Sequence, residues 1–185
     1  MKTSIKCQVG KNKGRIILYK EAMSTMPEKI IAVFGAGNVS EGDREWQTAF
    51  SIGRELAGRG VIVLTGGLGG VMTAASKGAK EAGGTTVGIL PGTRETSPAN
   101  SFVDIAIYTG MGEARNAVNV KSCDAAIAIG GEYGTLSEIG LALKSNCPII
   151  LLNSWSLLSP GNKMQDWQVA EDLIAAVGKA IAAAG

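Results

Sequence analysis

With 185 residues, the chain is long enough to bury a sizeable core in one domain, and its 26 glycines are too many for a helical bundle. It has no histidine, which excludes Ser-His-Asp and Cys-His catalysis and removes the commonest metal ligand, so no metal site is expected. The net charge of +2 hides an asymmetry. Residues 1–27 carry six Lys/Arg against one Glu, and residues 28–185 carry twelve Lys/Arg against fifteen Asp/Glu; the body is not a nucleic-acid binder by charge.

In chain order, residues 1–27 form a basic N-terminal extension. It is solvated or contains an edge strand through "GRIILYK"; contact with an anionic partner is the alternative. Residues 28–185 alternate short apolar runs with helical patterns. Strands are expected at Ile30–Phe34, Val61–Leu64, Thr86–Leu90, Val103–Ile107, Ala125–Ile129 and Pro148–Leu152. Most are continuously apolar, as strands buried on both faces must be. Trp46, Ala49, Phe50, Gly53, Leu56 and Ala57 follow the helix period and form one buried stripe. Ser40 to Asp43 has the form of a capping box at the start of that helix. Further helices are expected over 70–82, 113–123 and 135–145, and a last one carries Val169, Leu173, Ile174, Val177 and Ile181. The fold class is therefore α/β: a single doubly wound Rossmann-like domain, with a parallel sheet of about six or seven strands and helices on both faces.

No apolar run is long enough to span a bilayer, and no secretion signal is evident at the start. Cys7, Cys123 and Cys147 are an odd set without CxxC spacing. They suggest reduced thiols and a cytoplasmic location.

In such folds ligands bind beyond the carboxyl ends of the strands, where strand order reverses. Four segments place glycine where a strand hands over to a helix: "GAGNVS" (35–40), "TGGLGG" (65–70), "TGMGEARN" (109–116) and "GGEYGT" (130–135). Glycine lets backbone amides approach a ligand, and a helix N-terminus favours an anion. The candidate binding residues are Gly35, Gly37 and Asn38; Thr65, Gly66 and Gly67; Gly112; and Gly130, Gly131, Tyr133, Gly134 and Thr135. "GGEYGT" is the candidate phosphate cradle, although the charge of Glu132 opposes a phosphate unless it points away. Arg115 stands in the first turn of its helix, where a cation opposes the macrodipole. It serves a ligand or an ion pair with an acid such as Glu113. Glu138 closes a second capping-box pattern with Thr135, so it is either a helix cap or a functional carboxylate.

The segments "TGGLGGVMTAASKGAKEAGGTTVGILPG", "VDIAIYTGMGEARN" and "GGEYGTLSEIGLALK" resemble the molybdenum cofactor carrier proteins. More distantly they resemble the Lonely Guy (LOG) phosphoribohydrolases, within a superfamily once labelled lysine decarboxylases. The resemblance covers about residues 29–155. Against the hydrolase motif PGGxGTxxE, Gly130 stands at Pro, Gly131 matches, Glu132 replaces the second Gly and Tyr133 is the free position; Gly134, Thr135 and Glu138 match. The hydrolases' catalytic Arg-Lys pair falls at Arg115 and Asn116, so Lys is lost, and one extra residue lies between Met111 and Arg115.

The resemblance implies a binding protein for a phosphorylated purine- or pterin-like small molecule: bound molybdenum cofactor or a nucleoside monophosphate. No cofactor is required for catalysis. The alternative is a hydrolase that releases base and ribose 5-phosphate through Arg115 and Glu138. No lysine lies in the four segments to form a Schiff base, which disfavours a pyridoxal-phosphate decarboxylase. The resemblance also implies a homodimer or higher homo-oligomer; "EDLIAAVGKAIAAAG", apolar on more than one side, is a segment suited to an interface. Neither nucleic acid nor membrane is expected as a partner.

Overall fold

The computed structural model describes residues 8–12, 15–19, 29–156 and 167–185. Strands β1 (Gln8–Asn12) and β2 (Arg15–Tyr19) pair antiparallel as a two-stranded sheet. The expected strand within "GRIILYK" is β2, paired with β1. The rest of the region before residue 28 lies outside the described residues.

The main sheet has seven parallel strands: β3 (Ile30–Gly35), β4 (Ile62–Thr65), β5 (Thr86–Leu90), β6 (Ile105–Tyr108), β7 (Ala125–Ile129), β8 (Ile149–Leu152) and β9 (Gln168–Ala170). Their spatial order is β6-β5-β4-β3-β7-β8-β9. The chain lays down β3 to β6 outward in one direction and then returns to place β7 beside β3. Strand order therefore reverses between β3 and β7, where α/β sheets open a crevice.

Helices α1 (Arg44–Gly58), α2 (Val71–Glu81) and α5 (Leu173–Ala183) cover one face. Helices α3 (Arg115–Lys121) and α4 (Tyr133–Lys144) cover the other. The strands divide between them by the two-residue period. Ile31 and Val33 of β3 join Ile52, Leu56 and Val177, whereas Ala32 and Phe34 join Ile139 and Ala142. The α1–α2 crossing is close because both helices present glycine. A Cβ on Gly53 would fall on the Ala75 carbonyl oxygen, and one on Gly78 on the Phe50 carbonyl oxygen.

Three expectations are corrected. Val169 lies in β9, not in the last helix, which begins at Leu173 with Asp172 as its cap; the Asp172 carboxylate accepts from Ala175 N–H at 2.8 Å. Ser40 does not cap α1: the cap position is Asp43, whose Oδ2 accepts from Ser40 N–H at 2.6 Å, closing a turn ahead of the helix. Thr135 does not cap α4 either, because that helix starts at Tyr133 with Glu132 in the cap position. No described helix is long and apolar enough to cross a membrane.

Candidate ligand-binding cleft

All four glycine segments leave the carboxyl edge of the sheet, after β3, β4, β6 and β7. Between them lies a cleft of about 220 Å³. It brings together Gly35, Gly37, Gly66, Gly134, Arg115 and Glu138. A Cβ on Gly134 would meet nothing within 4 Å, so here glycine leaves the first turn of α4 open to the cleft. No side chain caps that helix, and its first amides have no partner within the helix. At Gly66 the need is opposite: a Cβ there would lie 2.6 Å from both terminal nitrogens of Arg115 and 2.7 Å from Met72 Sδ. The missing side chain gives the guanidinium its place.

Arg115 opens α3 and Glu138 stands in the second turn of α4, and both are buried. Arg115 Nη1 lies 3.5 Å from Glu138 Oε1, and the same oxygen accepts from Asn119 Nδ2 at 3.0 Å. Oε2 has no protein donor among the described residues. Glu138 therefore does not reach back to a cap amide: in the second turn of α4 it faces α3 instead. Burial pushes its carboxyl up to about 7, against the opposing pulls of the Asn119 bond and the Arg115 charge. Burial also lowers Arg115, opposed by Glu138 and Glu113, though a guanidinium stays charged at neutral pH. Arg115 Nε and Asn119 Oδ1 are buried without partners among the described residues.

The other candidates lie around this cleft. Asn38 Nδ2 donates to Glu132 Oε1 at 2.8 Å, which ties the first glycine loop to the fourth and draws the Glu132 carboxylate to Asn38. Thr65 is fully buried and its hydroxyl accepts from Gly67 N–H at 3.1 Å, shaping the turn after β4. Gly112 starts a 3-10 turn with φ +56° and donates to Pro91 O at 2.9 Å. Gly130 and Gly131, at φ +52° and +109°, turn the chain into α4 beside Glu45 and Trp155 rather than in the cleft. Thr135 is buried under Gly131. Tyr133 is 82% exposed and tilts against Trp155 with centroids 6.0 Å apart.

Two residues went unrecognised as candidates in the sequence. Asn119 stands four residues after Arg115, one turn along the same helix face, so its spacing was the available signal. Asn116, noted only where Lys is lost, lines the cleft and donates to Ser137 Oγ at 2.7 Å. Among the described residues no group of three or more Cys, Asp or Glu side chains is placed to hold a metal ion.

A model of the SLOG cluster4 family matches residues 28–182. The chain belongs to this family. Within solved structures it is similar to the molybdenum cofactor binding protein of Rippkaea orientalis, with 40% identity and TM-score 0.73 over 83% of this chain and 95% of that one. It is also similar to the molybdenum cofactor carrier protein of Chlamydomonas reinhardtii, with 38% identity and TM-score 0.71 over 84% of this chain and 99% of that one. A cytokinin riboside 5'-monophosphate phosphoribohydrolase LOG of Oryza sativa is 31% identical over 69% of this chain and 56% of its own length. The SLOG protein thus has the kinship read from its motifs, to carriers and, more distantly, to LOG.

Proposed function

We propose that this SLOG protein is a binding protein for a phosphorylated pterin- or purine-like molecule, which it holds without cleaving. The observation that carries the reading is the pairing of an uncapped α4 N-terminus with Arg115 in one cleft. Partial positive charge from the helix end and full charge from the guanidinium suit a phosphate. Among the described cleft residues Arg115 is the single cation. Where LOG-type hydrolases carry Lys, Asn116 is turned to Ser137 and to the Gly134 carbonyl oxygen, at 2.7 and 3.5 Å. The cleft, at about 220 Å³, is smaller than the pocket of a whole small-molecule ligand, so it takes one end of the molecule. Tyr133, the first residue of α4, offers an exposed aromatic face for the rest.

The named ligands of the carrier relatives make molybdenum cofactor the first ligand to try, as cargo. The residues present fit its terminal phosphate: backbone at Gly134, where even a Cβ would find open space, and the Arg115 side chain.

One observation favours hydrolysis as a second reading. Glu138 and Arg115 face each other in the cleft, and the Glu138 carboxyl at about 7 is suited to proton transfer near neutrality. Incubation with AMP separates the two. A carrier leaves AMP intact; release of free adenine at many turnovers per protein makes the protein a phosphoribohydrolase.

A further inference from the structure

At the opposite edge of the sheet two thiols meet. Cys123 follows α3 and Cys147 follows α4, and each stands two residues ahead of its strand, β7 and β8. These strands are neighbours with Ala126 opposite Ile149, and Ala126 N–H donates to Pro148 O at 2.8 Å. Strand register brings the two connections together, with Cys123 and Cys147 offset by one position, and their Sγ atoms meet at 3.7 Å. A disulfide bond needs an approach of roughly 1.7 Å more. Both residues lie in turns, which take up such a shift more readily than helix or strand. The turn before Cys147 already holds Asn146 at φ +55°.

We propose that Cys123 and Cys147 are a reversible dithiol–disulfide pair, oxidised by a low-molecular-weight disulfide, that fastens the C-terminal ends of α3 and α4 together. The Cys147 thiolate attacks one sulfur of the external disulfide; that S–S bond breaks and a thiolate leaves. The Cys123 thiol gives up its proton and its sulfur attacks Cys147 Sγ, expelling the second external thiolate. The two protein thiols lose two electrons between them, the external disulfide gains them, and the leaving thiolates take up the two protons. The order of attack follows from the surroundings. Both thiols border one groove with Asp124 and Lys144, but Cys147 also borders a second with Leu143 and Gln168, and the bond with Cys123 lowers its thiol. The bond with Cys147 and then burial raise Cys123, which suits it to the second, intramolecular step.

The pair is remote from the cleft but not unconnected. Arg115 and Asn119 stand on α3 and Glu138 on α4. A bond across their far ends fixes the two helices that hold the buried carboxylate.

The full chain carrying Cys7→Ser is incubated with oxidised glutathione, blocked with iodoacetamide and digested. Cleavage after Lys144 separates the two cysteines. The expected product is a linked peptide pair about 2 Da lighter than the sum of its free thiols. Dithiothreitol should reverse it, and the intact oxidised protein should melt about 5–10 °C higher than the reduced form. Glutathione retained on Cys147 without closure, or both cysteines recovered alkylated, overturns the proposal. So does a Cys123–Cys147 link found between two chains rather than within one.

Discussion

Arg115 Nη1 and Glu138 Oε1 lie 3.5 Å apart between α3 and α4, and burial, not the partner, dominates the titration of both. A buried ion pair at this separation does not offset the loss of water around two charges. The chain keeps them at a cost in stability, as binding and catalytic sites commonly do.

The first prediction follows from the sign of that cost. Glu138 stands at about 7 in the fold against an ordinary 4.5. Because the folded value is raised, its contribution is fully present below about pH 4.5 and is lost as pH rises through about 7. The difference is on the order of 3 kcal/mol. Glu138→Gln imitates the protonated carboxyl. Its Tm should therefore exceed the parent's at about pH 8 and converge on it at about pH 5. Over the same range sulfate should bind the parent more tightly as pH falls, since protonation leaves Arg115 unopposed, while the variant should show no such gain. A variant that melts below the parent at both pH values contradicts this.

Arg115→Ala tests the cation directly. The fold should survive, because Glu138 can take up a proton once its counter-charge is gone. Affinity for a phosphorylated ligand should fall by about 1.5–3 kcal/mol, or roughly 10- to 150-fold. Isothermal titration with AMP measures it. Unchanged affinity with a lower Tm would make Arg115 a structural partner of Glu138 and nothing more.

Gly66→Ala reaches the same guanidinium without touching its charge. The new methyl would sit 2.6 Å from Nη1 and Nη2, the far end of a flexible side chain. Arg115 should move and the fold should hold within about 1–2 kcal/mol. AMP affinity should fall as in Arg115→Ala, by about tenfold or more. Parent-like binding would show that the position of Arg115 is not critical.

Most of this fold was legible because parallel strands buried on both faces are apolar without interruption. β7 is Ala125-Ala126-Ile127-Ala128-Ile129 with every residue buried. β9 was not, because it is a three-residue edge strand with Gln168 and Val169 exposed, and Val169 fits the helix period of α5 equally well. The glycine edge was legible as a set; the distribution of its residues was not. The Thr135–Glu138 spacing imitates a capping box, but the positive-φ turn at Gly130 and Gly131 admits the chain to α4 three residues early, with Glu132 and not Thr135 in the cap position. That shift turns Glu138 from a cap into a cleft residue. The Cys123–Cys147 contact depends on the register of β7 against β8, which no cysteine spacing reveals.

A homodimer is expected in solution. The edge strand β6 exposes Ile105 and Ile107 on one side, at 51% and 45%, and neighbouring apolar side chains on an edge call for cover. Light scattering should give at least twice the 19.0 kDa chain mass. A mass of about 19 kDa at micromolar concentration contradicts it.

The most direct measurement is a paired titration followed by mass spectrometry of the recovered ligand. One arm uses a reduced pterin with a terminal phosphate, the other the same pterin without it. The phosphorylated pterin should bind at least about tenfold more tightly, lose that advantage in Arg115→Ala, and return from the protein unaltered. Equal affinity for the two pterins, or recovery of a cleaved ligand, would contradict a cleft built to hold a phosphate without breaking the molecule that carries it.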